Sequence, residues 1–335
     1  MKLILLPLFL FVSLSSTLAQ KNITVMFYNT ENFFDTENDP TKNDEEYLPD
    51  SKLKWDEKKY QNKINHIGQV IDSVGGNGFP ALVGLCEIEN RKVLEDLCSK
   101  SSLKDANYGI LNTDGKDDRS IDVGLLYNKD LFQLQGWQSL NATSPSIPDY
   151  KTRDILFATL IFNKTDKVFV FVNHWPSRRD GEKESEPKRI YAAQQVRSKV
   201  DSLLKADPKC RIIIMGDFND HPDNSSINTT LLAKDKPKDK KDLLNCYYNI
   251  DKERKGSHYF DKEWRSLDQI IVSQGMLKGK KGLSFDGKSA YVFKKDFILF
   301  KNEKTGEERP NRTYGGEKYF NGYSDHLPVY INLSY

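Results

Sequence analysis

Residues 211–220 read RIIIMGDFND. The apolar run 211–215 is bounded by turn residues and is short, so it reads as a β-strand. Asp217, Asn219 and Asp220 follow it at once. A lone Asp-Phe-Asn is ordinary turn chemistry, because Asp and Asn bond their own backbone at strand ends. The same arrangement repeats outward in both directions, however. Residues 23–28 run into Asn29-Thr30-Glu31-Asn32, residues 81–86 into Glu87-Ile88-Glu89-Asn90, and residues 168–173 into His174-Trp175-Pro176. The run 267–272 opens on Asp268-Gln269, and Ser324-Asp325-His326 precedes the run 329–333. Six apolar strands that carry polar groups at one end are hard to ascribe to turns alone.

Residues 122–127 and 155–162 read as further strands. Between the strands, Tyr60, Ile64, Ile67, Ile71 and Val74 recur at the spacing of one helix face, as do Ile190, Ala193, Val196, Val200 and Leu203. The simplest α/β architecture for this order is two sheets packed together with helices outside. No repeat or composition break divides the chain, so a single domain over residues 20–335 is expected.

Composition narrows the function. With 335 residues, 38% of them hydrophobic, the chain is too apolar for disorder and too long for a disulfide-stapled miniprotein. The net charge is only +2, from 50 basic and 48 acidic residues. That argues against a coat protein that grips nucleic acid through bulk positive charge, and leaves room for an enzyme with a local basic rim. Lys2, an apolar stretch from 3 to 14 and the segment SSTLAQ describe a secretory signal peptide over residues 1–19, with Ala19 removed last. The stretch is too short to span a bilayer. A chain exported to a periplasm or beyond, without a membrane anchor and monomeric, is expected. Export permits disulfides, but the spacing of Cys86, Cys98, Cys210 and Cys246 assigns no pairing and matches no zinc pattern. Long polar loops are read at 36–50, 177–187, 234–242 and 302–321. Loops of that length are usually functional or disordered.

Elimination limits the chemistry. There is no Gly-rich nucleotide loop before a helix and no Gly-x-Ser-x-Gly elbow. Oxygen ligands and two histidines remain. Carboxylates with an amide suit a hard cation such as Mg2+, with Mn2+ or Ca2+ as alternatives, and histidines suit acid–base work. Together they point to hydrolysis of a phosphate ester.

The ordered segments VNHWPSRR (172–179), MGDFND (215–220) and YSDHLPV (323–329) resemble the endonuclease/exonuclease/phosphatase superfamily. RSIDVGLLY (119–127) and SLDQIIVS (266–273) are similar to its secreted bacterial nuclease-like members. The resemblance covers essentially the whole chain after the leader. It implies a four-layer α/β sandwich, with two mainly antiparallel β-sheets packed face to face, helices outside, and an active site where loops of both sheets meet. It also implies roles. Glu87, Asn29, Asp325 and Asp217 would hold metal. Asp217 and Asn219 would hold attacking water and phosphate. His326, oriented by Asp268, would stand beside the scissile phosphate, and His174 would be an acid or phosphate donor. The base role is shared between His326 and Asp217. Arg153 would bind phosphate. Asp122 would support His174, or be a polar strand start.

Arg119, Arg178 and Arg179 lie beside these motifs and either bind substrate phosphate or face solvent; arginine can clamp phosphate with two hydrogen bonds. Phe33, Phe34, Tyr319 and Phe320 either stack bases at a rim or pack inside. The leading expectation is an endonuclease with DNA or RNA as substrate. The alternatives are a phosphatase or sphingomyelinase-like enzyme of the same superfamily, and a catalytically dead binding module. A lipid-directed enzyme should show an exposed apolar stripe, which the sequence after the leader lacks, and a dead module should lack ligands or histidines that are present.

Overall fold

The computed structural model describes residues 21–76, 78–277 and 282–335. The leader read at residues 1–19 lies outside the described residues. In chain order the strands begin with β1 (Asn22–Phe33), β2 (Leu82–Ile88), β3 (Tyr108–Asn112), β4 (Asp122–Asn128), β5 (Phe132–Leu140), β6 (Ile155–Phe162) and β7 (Asp166–His174). They continue with β8 (Arg211–Asp217), β9 (Ala233–Lys234), β10 (Leu243–Asn245), β11 (Asp268–Ser273), β12 (Ala290–Val292) and β13 (Val329–Ser334). The long helices are α1 (Glu57–Gly75), α2 (Arg91–Lys100) and α3 (Glu182–Ala206). One sheet has the order β12-β13-β1-β2-β4-β3 and the other β5-β6-β7-β8-β11-β10-β9.

Side-chain alternation sorts the strands into layers. Val25 and Phe27 of β1 meet Val170, Val172, Ile213 and Met215 of the other sheet in the central core. Met26 and Tyr28, pointing the other way, pack with Ile64 and Ile67 of α1. In β8, Ile212 and Ile214 pack with Ala193, Val196 and Val200 of α3. Both faces of these strands are buried, which is why the sequence shows continuous apolar runs. The sheets approach closely at Gly84, where a Cβ would stand 2.5 Å from Sδ of Met215.

Two units set the position of the site. β1–α1–β2 and β7–α3–β8 each join parallel neighbours through a helix, as parallel pairing requires. Strands of a parallel pair end on the same side, so the residues after β1 and β2 lie together, as do those after β7 and β8. The antiparallel partners begin at these ends, with Val329 opposite Phe27 and Asp268 opposite Asp217. Every other neighbouring pair in the two sheets is antiparallel except β9 and β10.

Some expected loops are structured. In 177–187, α3 already begins at Glu182. Its first turns bury Ser185 and Arg189, and Arg189 pairs with Asp220 and donates to Ser185 Oγ at 2.6 Å. A polar inward face gives no apolar periodicity, so the helix start is hidden in sequence. The 302–321 segment carries short hairpin strands, Glu308–Pro310 against Leu299–Lys301 and Tyr314–Gly315 against Lys318–Tyr319. All four cysteines are free. Among the described residues, no helix is long and apolar enough to cross a membrane.

Candidate active site

β7, β8 and β11 bring three groups to one edge through register alone. His174 pairs with Asp217, and Asp217 with Asp268. A Cβ on Gly216 would lie 2.5 Å from the carbonyl oxygen of Asn173, so a larger residue there would push β8 off β7 just before Asp217. His326 enters from the segment before β13. Ser324 fixes that segment, its hydroxyl donating to the Asn29 carbonyl at 2.7 Å and accepting from the His326 N–H at 3.1 Å. His326 Nδ1 then meets Asp268 Oδ2 at 2.7 Å, and Ser257 donates to the same oxygen. His326 Nε2 stands 3.9 Å from Asp217 Oδ2, and His174 Nε2 stands 3.7 Å from that oxygen.

β1 and β2 deliver the acidic side through bulges. Their pairing shifts register between Asn29 and Phe33, and that of β2 with β4 shifts between Cys86 and Ile88. Glu31, Asn32 and Glu87 there have positive φ angles of 51°, 51° and 57°, and Asn219 has one of 51°. Such backbone is costly for residues other than glycine and clusters where side chains must be re-aimed. Glu87 faces His174 Nε2 at 3.9 Å and accepts the Asn32 N–H at 3.0 Å. Arg119 donates to both Glu87 oxygens, at 3.3 and 3.1 Å, and to Asn32 Oδ1 at 2.6 Å. Asn29 donates to Asp217 Oδ2 at 3.1 Å, which ties the two sheets together at the site.

The charges are sorted by surroundings. Burial opposes ionisation of Glu87, but the charge and hydrogen bonds of Arg119 together with His174 outweigh it and hold the carboxyl at about 2. Asp217 is pushed up to about 6 by burial and then by the neighbouring Asp268. Burial would lower His326, yet Asp268, with Asp217 and Asp325, holds it well above the usual histidine range. His174 is driven well below that range by burial and by Arg153. The site therefore contains an imidazolium at His326, a neutral imidazole at His174 and a carboxyl at Asp217 poised near neutrality. Such a spread is characteristic of acid–base chemistry.

The donors fit a hard divalent cation. Glu87 is ionised. Asp325 is held below the usual carboxylate range: burial raises it, and His326 and Arg312 more than compensate. Both offer oxygen, the donor that Mg2+, Mn2+ and Ca2+ prefer. Asp217, Asp268 and His326 also lie within ligand distance of one another. In that group Asp268 Oδ2 is already taken by His326 and Ser257 while its Oδ1 is buried without a partner, and Asp217, which accepts Asn29 on Oδ2 and the Asn219 N–H on Oδ1, is the member that faces both histidines. Asn29 has its Oδ1 accepting the Glu31 N–H at 3.0 Å and its amide donating to Asp217. It orders Asp217 in this arrangement, and its Oδ1 keeps a second lone pair beside the bond from Glu31.

Other expected site residues are placed differently. Arg153 is buried, donates to the carbonyls of His174 at 3.2 Å and Trp175 at 2.7 Å, and pairs with Asp117 at 3.0 Å. It shapes the strand end and has no face turned to substrate. Arg178 is likewise engaged, by the Asn219 carbonyl at 2.6 Å and by Asp220, Asn224 and Glu182. Arg179 is exposed. Asp122 takes Thr113 Oγ1 and the Gly115 N–H on Oδ1, both at 2.8 Å, and has no hydrogen bond to His174. His174 Nδ1 is buried without a partner. Phe33 and Phe34 are core residues, while Phe320 is exposed. Asn219 donates its backbone N–H to Asp217 Oδ1 at 3.0 Å and its amide to the Trp175 carbonyl at 3.0 Å.

Sequence reading missed His258, whose ring centroid lies 4.6 Å from that of His326. It also missed Tyr47, which the 36–50 loop brings near Glu87 and Arg119, and Glu31, Lys63 and Arg312, which tie the 302–321 segment to the site. In the backbone the first pairing shows as a β-bridge between His258 and His326, and nothing in the sequence announces it.

A family model described as "Endonuclease/Exonuclease/phosphatase family" matches residues 24–335. No curated protein sequence matches the chain significantly. Among solved structures, the chain is similar to an endonuclease/exonuclease/phosphatase family protein from Bacteroides thetaiotaomicron, at 17% identity, a TM-score of 0.58, and coverage of 94% of this chain and 96% of that one. It is also similar to a mannosyl-6-phosphatase of Bacteroides thetaiotaomicron, at 17% identity, a TM-score of 0.57, and coverage of 93% and 100%. A humanized TDP2 of D. rerio follows at 13% identity and a TM-score of 0.56, with coverage of 93% and 98%. At these identities the likeness shows the fold, the α/β sandwich expected from sequence.

Proposed function

The chain belongs to the endonuclease/exonuclease/phosphatase family, and within it we propose a metal-dependent hydrolase of phosphate esters. The observation that carries this is an unbroken row from Glu87 through His174, Asp217 and His326 to Asp268, with successive separations of 3.9, 3.7, 3.9 and 2.7 Å. A divalent cation on Glu87 and Asp325 would polarise a phosphoryl oxygen and neutralise developing charge. Asp217, near neutrality, accepts the proton of the attacking water. Its carboxyl at about 6 suits that role better than His326, which is already protonated. The His326 imidazolium and the His174 N–H face the non-bridging phosphate oxygens. The bond from phosphorus to the leaving oxygen breaks, and that oxygen takes a proton from solvent.

The arginines bear on substrate. A rim of Arg119, Arg153, Arg178 and Arg179 would have suited a polynucleotide. Arg153 and Arg178 are engaged inside the protein, so a small or terminal phosphate ester fits better than a long polyanion. An endonuclease is the second reading. It is favoured by Phe260, 59% exposed on the hairpin that carries His258 against His326, where a base could stack. Export through residues 1–19 belongs to the same proposal. Incubation with plasmid DNA, RNA and small phosphate mono- and diesters, with and without chelator, tests both readings. Metal-dependent release of inorganic phosphate supports the first, and cleavage of DNA or RNA the second.

A further inference from the structure

The long segment 302–321 reaches the site by its inner end. Glu31, buried at the bulge that ends β1, accepts the backbone N–H of Thr313 at 2.6 Å and of Tyr314 at 3.3 Å. Lys63, buried on α1, donates to Thr313 Oγ1 at 2.7 Å and to the Tyr323 carbonyl at 2.8 Å. Two charged groups from separate elements are thus withdrawn from water to fasten one surface segment. Burial of charge is costly, and here it fixes the inner end of a segment whose Tyr314 and Tyr319 also pack against the core. The residue beside the fastening is Arg312. Its guanidinium meets Glu31 Oε1 at 3.4 Å and Asp325 Oδ2 at 3.2 Å, with 46% of the side chain exposed. Arg119 stands in the same relation to Glu87, partly exposed on a carboxylate of the site.

We propose that Arg312 is a substrate-binding residue that acts with Arg119 to select a terminal phosphate monoester over a bridging diester. The inference rests on the phosphate-ester reading above. A terminal phosphate carries up to two negative charges and three non-bridging oxygens; a diester carries one charge and two. A guanidinium offers paired N–H donors that match a phosphate edge. Two of them, each seated on a carboxylate at the proposed cation site, present more donors and charge than a diester can use. Glu31 and Lys63 are positioning residues in this arrangement, since Glu31 holds Arg312 and both fasten Thr313 from buried positions.

The test pairs kinetics with binding. Wild type, Arg312→Ala, Arg312→Lys and Glu31→Gln are assayed on p-nitrophenyl phosphate and bis(p-nitrophenyl) phosphate. Inorganic phosphate binding is measured by calorimetry with Mg2+ and with chelator. Loss of a charge-assisted pair predicts that Arg312→Ala raises KM for the monoester roughly 10- to 100-fold. Its kcat should change less than its KM, phosphate binding should weaken by a similar factor, and diester kcat/KM should fall by clearly less than that of the monoester. Arg312→Lys keeps the charge without the fork and should recover part of the loss. Glu31→Gln should shift KM in the same direction by less. Unchanged monoester KM and phosphate affinity in Arg312→Ala would overturn the proposal, as would equal losses on both esters. If wild type hydrolyses neither ester, the phosphate-ester reading fails instead, and the calorimetry still decides whether Arg312 binds phosphate.

Discussion

His326 Nδ1 lies 2.7 Å from Oδ2 of Asp268, an oxygen that also accepts the hydroxyl of Ser257. The carboxylate fixes which ring nitrogen carries its proton toward Asp268 and leaves Nε2 facing Asp217. Asp268→Asn removes the charge that holds His326 protonated. Activity that needs the imidazolium is lost as pH rises through its pKa, so the descending alkaline limb of kcat/KM should move to lower pH. Turnover at pH 7 should fall by roughly 10²- to 10⁴-fold. A pH–rate profile and rate equal to wild type would contradict the pairing.

Glu87→Gln and Asp217→Asn should each reduce kcat by roughly 10²-fold or more while the fold survives. Glu87 loses the charge that a cation and Arg119 both use, and Asp217 loses its proton acceptor. Circular dichroism and thermal melting alongside phosphate release check the prediction; collapse of the fold would instead mark these carboxylates as structural.

Arg153→Met should act on stability before binding. It strands Asp117 and frees the carbonyls of His174 and Trp175, and breaking a buried pair costs about 3–5 kcal/mol. Denaturant unfolding should show that loss. A fully stable variant with raised KM would instead restore Arg153 as a substrate ligand.

Glu89 links stability to pH. Burial raises its carboxyl from the ordinary 4.5 to about 8. The folded protein keeps it protonated while the unfolded chain ionises above 4.5, so unfolding releases a proton. Stability should therefore fall as pH rises from about 4.5 to about 8. Glu89→Gln should flatten that part of the curve, measured as the denaturant midpoint against pH; equal slopes in the two proteins would exclude the assignment.

Much of this was legible because the site residues end apolar strands. In the run 211–217 the strand and its terminal Asp217 are contiguous, His174 follows the same rule, and Asp268 opens its antiparallel strand at the same edge. Glu87 shares it, although its re-aimed backbone does not show in sequence. Arg153 was misread because an arginine before a strand looks the same whether its guanidinium faces substrate or a backbone carbonyl. Asp122 was left between two readings, and only the folded chain shows that Thr113, not His174, supplies its partner. His258 was left without a role because its contact with His326 depends on a hairpin placed by tertiary packing. Arg312 and Glu31 lie 281 residues apart, and no local pattern reports a contact of that kind.

The most direct test of the central claim is release of inorganic phosphate or cleavage of a phosphodiester by purified protein, first in excess chelator and then after Mg2+ is restored. The account predicts no turnover with chelator, recovery with Mg2+, and no recovery in Glu87→Gln. Full hydrolysis in chelator, or wild-type rates in Glu87→Gln, would contradict it.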